Sequence, residues 1–451
     1  MFDRRHFLQT LGGGFGLAGL HGTLQAAERQ PHFAPKAKHV IFLFLNGGMS
    51  QVDTFDPKPA LVKFDGQPMP GPKIRTDRAS GTLMRSPWEF RRHGQSGIEV
   101  SDIFPNVARR IDDFCVVRSV HTDNGNHGPS LQLMNCGHQL PGRPSMGAWV
   151  TYGLGTDNKN LPGFIVLCPG FPVLGSSLWS AGYMPSSFQG THIQNGEVEP
   201  EKLIQNLRNS ELTLDEQRGQ LALLDKLNRR YLDRVGDQPN LQSAVESMES
   251  AFRMQSEAGQ LIDIRNEPEK IRARYDVSDF GRGCLMALRL VQSGVRMVQI
   301  YYGNFQPWDS HDDIRVHAKL AQKVDSPIAA LVEDLKLRGL FDETLIIIGS
   351  EFGRTPMIQN SGLEKLGCGR DHNPPAFTVL LAGGGIKGGQ TYGATDDFGY
   401  QVAENPVHVH DLHATALHLL GFDHTRLTYR HAGRDFRLTD VHGKVVTPLL
   451  A

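Results

Sequence analysis

Five short runs along the chain are dominated by apolar residues at consecutive positions: KHVIFLFL at 38–45, FCVVRSV at 114–120, VRMVQIYY at 295–302, TLIIIG at 344–349 and AFTVLLA at 376–382. A strand with one wet face alternates apolar and polar residues, whereas a strand covered on both faces does not. These runs therefore predict central strands of a sheet clothed by helices. Apolar residues at helical spacing fall at 278–292, stopped by Gly294, at 312–339 with Gly339 as the stop, and at 408–420 before Gly421. Strand and helix in alternation, with helices long enough for crossovers, predict an α/β fold with a doubly wound, mostly parallel sheet. From 201 to 264 the pattern changes to Glu, Gln, Leu, Lys and Arg with no strand signal, which predicts a helical insertion of two or three helices. The stretch 57–97 is rich in Pro, Gly and Arg and reads as a long surface excursion.

The amino terminus follows none of these patterns. Arg4-Arg5-His6-Phe7-Leu8, a glycine-rich weakly apolar stretch from Leu11 to Leu20, and Ala26-Ala27 have the layout of a twin-arginine (Tat) export signal over residues 1–27. An amphipathic helix is the bland alternative, but Gly12, Gly13 and Gly14 in succession disfavour it. The Tat translocon is then a partner during export, and the destination is the periplasm or cell surface.

Composition narrows the remainder. The formal net charge of −1 argues against a broad basic face for nucleic acid. No later segment reaches the roughly 18 uninterrupted apolar residues of a membrane span. Five widely spaced cysteines without a Cys-x-x-Cys pair argue against a disulfide framework or a thiolate zinc site, while a single bridge stays open in an oxidising periplasm. Gly383-Gly384-Gly385 lacks the spacing of a nucleotide loop.

Chemistry-bearing residues concentrate just after the predicted strands, where open α/β sheets bind ligands. Trp308-Asp309-Ser310-His311 follows 295–302, Ser350-Glu351-Phe352-Gly353-Arg354 follows 344–349, and Gly369-Arg370-Asp371-His372 sits in a glycine-flanked loop. Asp309, His311, Glu351 and His372 form an oxygen and nitrogen set suited to a divalent ion (Zn, Ca or Mg), and Arg354 and Arg370 could clamp an anion. Asp313 and His317, at helical i, i+4 spacing, are a rival ligand pair to Asp309 and His311. His127 and Ser130 lie near the predicted start of a helix marked by Pro129, where an anion would sit, although Ser130 could simply be a cap. His410, His413 and His418 do not share one helical face and read as packing or solvent histidines.

Several motifs together resemble one bacterial family. Leu45-Asn46-Gly47-Gly48-Met49-Ser50-Gln51-Val52-Asp53-Thr54-Phe55-Asp56-Pro57-Lys58, Pro144-Ser145-Met146-Gly147-Ala148-Trp149-Val150, Trp308-Asp309-Ser310-His311, Glu351-Phe352-Gly353-Arg354-Thr355-Pro356, Gly369-Arg370-Asp371-His372 and Gly433-Arg434-Asp435-Phe436-Arg437-Leu438-Thr439-Asp440 look like the family of domain of unknown function 1501. That family is described as sulfatase-like and grouped with the alkaline phosphatase superfamily. The resemblance implies one metal-dependent hydrolase domain over 36–451. It also implies departures: Asn46 stands where the superfamily places a metal-binding aspartate, with Asp53 as a displaced candidate. Glu351-Phe352 stands where an aspartate-histidine dipeptide is expected, and no Cys-x-Pro-x-Arg sulfatase signature is present.

The resulting expectation is hydrolysis of a sulfate or phosphate ester, on a polysaccharide in one version, with Asp309, His311 and His372 holding one metal. Glu351 is expected as ligand or base, Ser130 or His127 at the reacting group, and Arg354 on the anion. The alternative is a non-catalytic binding or cell-surface protein with a degraded site.

Overall fold

All of His39–Phe44 (β1) is buried, and its side chains serve two separate cores. Ile41 and Leu43 enter one, while Val40, Phe42 and Phe44 enter the other, the double burial that an unbroken apolar run demands. The computed structural model describes residues 30–71, 76, 78–158, 160–203, 212–236, 238, 259–359 and 367–451, and β1 lies within its nine-stranded main sheet. The other strands in chain order are Phe114–His121 (β2), Phe164–Leu167 (β3), Thr191–Ile193 (β4), Met297–Tyr301 (β5), Thr344–Gly349 (β6), Phe377–Ala382 (β7), Gln390–Tyr392 (β8) and Val407–His408 (β9). They lie in the order β8, β2, β7, β6, β1, β5, β3, β4, with β9 also paired to β2.

Phe44 at the end of β1 sits opposite Tyr301 of β5 and Gly349 of β6, and both pairings are parallel. Among the described strands of this sheet only β7 runs against its neighbours. The carboxyl ends of β1, β2, β5 and β6 therefore open on one edge, where loops can converge.

Helices cover both faces. His127–Cys136 (α1), Met146–Leu154 (α2), Leu214–Val235 (α3), Asp279–Gln292 (α4), Val316–Leu337 (α5) and Val409–Leu419 (α6) are the longer ones described. Cys284 and Leu288 of α4 and Leu331 and Leu335 of α5 join the core of Ile41, whereas Leu131 of α1, Trp149 of α2 and Leu417 of α6 join that of Phe42. No helix among the described residues is long and apolar enough to cross a membrane.

Two expectations need adjustment. The excursion at 57–97 is partly strand: Ser80–Leu83 pairs with Gly353–Gln359, which pairs in turn with Arg370–Asn373, and Phe90–His93 pairs with Ile98–Ser101. Distant partners supply those ladders, so local periodicity does not announce them. Of the helical insertion, α3 is described, with Thr213 and Glu216 as a reciprocal capping box. Residues 204–211 and 239–258, like the export signal at 1–27, lie outside the described residues.

The loop after β1 touches the loop after β5 backbone to backbone. Gly47 has φ +121°, and a Cβ there would lie 2.5 Å from the Asp309 nitrogen and 2.7 Å from that of Trp308. Only glycine fits both constraints. Gly47→Ala is expected to cost about 3 kcal/mol or more in chemical denaturation. Gly66→Ala, at φ +73° with open space around it, should cost only about 1 kcal/mol. Equal losses would contradict the contact.

Candidate metal centre

The loop after β5 turns tightly, with the Asp309 N–H donating to the Gln306 carbonyl at 3.0 Å. This turn lets Asp309 and His311 meet although they stand two residues apart: His311 Nε2 lies 2.8 Å from Asp309 Oδ1. His372 enters from the small sheet, in register with Arg354, and places Nε2 3.2 Å from the same oxygen. His127, the first residue of α1, brings Nε2 to 3.3 Å from Asp309 Oδ2. Three imidazoles thus converge on one carboxylate that is 24% exposed, so the cluster reaches solvent.

The outer nitrogen of each ring is tied down. His372 Nδ1 lies 2.6 Å from the Gly125 carbonyl and His127 Nδ1 lies 2.7 Å from Glu351 Oε1. His311 Nδ1 bonds Gln359 Oε1. A carbonyl and an ionised carboxylate only accept, so each Nδ1 holds a proton, and each ring turns Nε2 toward Asp309, as a donor when that nitrogen is protonated and as a lone pair when the ring is neutral. The Nε2 atoms of His127 and His311 are buried with Asp309 as their near neighbour, and His372 Nε2 hydrogen-bonds Asp309 Oδ1. Inward-facing Nε2 atoms, a central carboxylate and anchored outer nitrogens are an arrangement that could hold a metal ion, with Glu351, Gln359 and Gly125 orienting the rings. His127, Asp309 and His372 form the one group among the described residues with ligand atoms close enough to share an ion.

Buried charges frame this cluster. Arg354 is wholly buried: its Nε donates to Gly48 O at 3.0 Å, its Nη1 to Arg370 O at 3.1 Å, and its Nη2 to Asp309 Oδ1 at 2.6 Å and to Gly47 O. Burial opposes the Asp309 charge, but the three imidazoles and Arg354 outweigh it and hold the carboxyl far below its ordinary range. Glu351 is likewise held ionised, chiefly by His127 against the effect of burial, and also accepts the Gly47 N–H at 3.0 Å. Burial pulls His372 down, which favours its neutral form.

Several sequence-based assignments change accordingly. Glu351 stands behind His127 as its orienting partner, which separates it from a role as ligand or base. Arg354 spends its donors inside the protein and presents none to an anion. Arg370 does not clamp an anion either, because its guanidinium bonds Asp53 at 2.7 and 3.1 Å, both side chains being buried. That pairing also removes Asp53 as a ligand. The Asn46 amide donates to the carbonyls of Gly303 and Phe305 and so braces the loop after β5. Ser130 is buried in α1 with its hydroxyl donated to Asn124 O at 2.6 Å, and the cap of α1 is Asn126. Asp313 pairs with Arg315 on the surface, while His317 is buried with Nε2 accepting the Ser50 N–H at 3.3 Å and a pKa pushed down to about 3. The two do not form a ligand pair. His410 and His413 contact the carbonyls of Gly137 and Met134, each at 2.9 Å, as packing histidines. His127 is the member of the cluster that the sequence reading placed at the reacting group and not among the candidate ligands. Its only sequence signal is a place just past β2 at a helix start.

The pKa of His127 has a testable sign. Burial lowers it, but Asp309 and Glu351 on either side raise it more, from 6.5 to about 9. A raised value contributes stability that is full below the unfolded pKa and lost as pH rises through the folded one. Chelator-treated protein should therefore lose up to about 3 kcal/mol of stability between pH 6.5 and 9, and His127→Gln should flatten that slope. Denaturation curves at the two pH values check this; an unchanged slope in the variant contradicts it.

No curated protein matches the chain. Solved structures that resemble it include the PsFucS1 sulfatase from Pseudoalteromonas sp., at 14% identity over 89% of this chain and 70% of that one, TM-score 0.34. Another is the lipoteichoic acid synthase LtaP from Listeria monocytogenes, at 9% identity over 87% and 74%, TM-score 0.37. A third is a mutant of TAB5 alkaline phosphatase, at 11% identity over 80% and 95%, TM-score 0.32. Likenesses this distant carry no weight in assigning chemistry. The sequence itself is decisive about kinship: residues 37–450 match the family described as "Protein of unknown function (DUF1501)", and the protein belongs to that family.

Proposed function

We propose that the protein is an exported, metal-dependent hydrolase of sulfate or phosphate esters. The observation that carries this reading is the set of three histidines that turn Nε2 on Asp309 while acceptors fix each Nδ1. His127, His372 and Asp309 would hold the ion, with His311 beside Asp309 at 2.8 Å. Two imidazole nitrogens and one carboxylate oxygen suit zinc, with water or substrate completing its shell, better than calcium or magnesium, which favour oxygen.

Local charge agrees with one divalent ion. Asp309, Glu351 and Asp371 carry three negative charges against the single positive charge of Arg354, and with neutral imidazoles the balance is −2. One divalent ion cancels this, after which an anionic ester is no longer repelled. When bound, such an ion polarises an ester oxygen and makes water a nucleophile at neutral pH. The protein's own groups fix the frame: Glu351 retains the proton at His127 Nδ1, Gly125 does the same for His372, and Arg354 fixes the orientation of Asp309. The twin-arginine leader would place this chemistry outside the cytoplasm, and a sulfated polysaccharide is one candidate substrate there.

A non-catalytic binding or cell-surface protein is the second reading. It is favoured by the burial of Ser130 and Arg354, which leaves neither that hydroxyl nor that guanidinium for an ester. Elemental analysis of the purified mature protein is expected to give about one zinc per chain, lost in the His311→Ala, His372→Ala double variant. Turnover of 4-nitrophenyl sulfate or phosphate should disappear in Asp309→Ala and stay within about twofold in Ser130→Ala. Protein without metal sinks the hydrolase; metal without turnover of sulfate or phosphate esters supports the binding protein. Metal uptake at pH 7 should also release a proton from His127, measurable with a pH indicator.

A further inference from the structure

Two loops at the carboxyl edge of the sheet expose large apolar side chains, and one of these loops leads into Asp309. The loop after β5 carries Phe305, 73% exposed with φ +53°. The loop after β3 carries Phe171, 53% exposed, and Leu174, 40% exposed with φ +72°. A left-handed backbone at a bulky residue is uncommon and costs energy that glycine would avoid.

The loops are knitted together. The Phe305 N–H donates to Phe171 O at 3.0 Å, the Phe171 N–H donates to Asn304 Oδ1 at 2.7 Å, and Pro172 and Phe305 form a parallel bridge. Asn46 braces the Phe305 carbonyl from the end of β1. The turn from Gln306 to Asp309 follows directly, so the Cα of Phe305 lies within about 11 Å of that of Asp309. The Phe171 ring lies parallel to Trp179, with centroids 6.1 Å apart and planes at 13°, so it is supported on one side. The result is a braced apolar surface on the loop that leads into Asp309 and on the loop bonded to it.

Phenylalanine has no polar handle, so it offers only ring surface and selects a partner with a flat apolar face. We propose that Phe305 and Phe171 form a platform for a ring that carries the ester, which makes the substrate a sulfate or phosphate ester of a pyranose or an aryl ring and not of a flexible chain. The ester's identity rests on the hydrolase reading; ring binding stands apart from it.

Calorimetric titration of the metal-loaded mature protein tests this with galactose 6-sulfate, 4-nitrophenyl sulfate, methyl sulfate and the three corresponding phosphates. The wild type should bind a ring-bearing ester at least about tenfold tighter than its methyl counterpart. Phe305→Gly and Phe171→Ala should each remove most of that preference and leave methyl ester binding within about twofold, with Phe305→Tyr restoring it. Phe305→Gly also relieves the backbone, so its melting temperature should stay level or rise, the reverse of what a structural role predicts. A preference for the sugar or the aryl compound identifies which ring is meant. Equal affinity for ring and methyl esters, no binding of either ring-bearing ester, or a preference unchanged in both variants overturns the platform. Platform-dependent binding without turnover of any of these esters leaves the platform standing and defeats the hydrolase; turnover without a ring preference does the opposite.

Discussion

The buried guanidinium of Arg354 is the constraint on which the site depends. It follows β6, yet its donors reach the carbonyls of Gly47 and Gly48 after β1, the Asp309 carboxylate after β5 and the Arg370 carbonyl in the small sheet. Burial works against this charge, and Asp309 is the strongest influence that sustains it. A desolvated cation without a partner is costly, so packing Arg354 inside the protein dictates where Asp309 must stand. Asp309 in turn gathers the histidines. The same requirement explains why Gly47 cannot carry a side chain, since the loops must close around one planar group.

A second buried pair repeats the logic one layer away. Asp53 and Arg370, both without exposure, tie the short helix Gln51–Thr54 to the small sheet that presents His372. Arg354 and Arg370 therefore act as scaffold, which leaves the partly exposed carboxylate and the rings around it to face solvent. Charge type does not separate these roles. Desolvation does, because a group whose bonds are all satisfied inside has nothing to offer a ligand. The histidines divide the same way: His317, His410 and His413 are buried in contact with protein groups, whereas His127, His311 and His372 share a carboxylate that water can reach.

Sequence alone determined the parts that depend on local periodicity. Runs apolar on both faces required a sheet buried on both sides, the intervening helical spacing required crossovers, and together they put Asp309, Glu351 and Arg354 at the carboxyl edge beside Asn46 and Gly47. Residue type and position, after a strand or in a glycine-flanked loop, drew attention to Asp309, His311 and His372, and these do cluster. Tertiary structure decided the rest. Which strands are neighbours brings the start of α1, after β2, to the loop after β5, and no spacing along the chain encodes that approach. Glu351, Arg354, Asp53 and Ser130 were legible as reactive residue types, but their roles turn on whether the neighbouring fold consumes their hydrogen bonds. Burial is a property of the packed assembly, set by residues far away in the chain, and only the assembled loops reveal which charged groups remain free to meet a ligand.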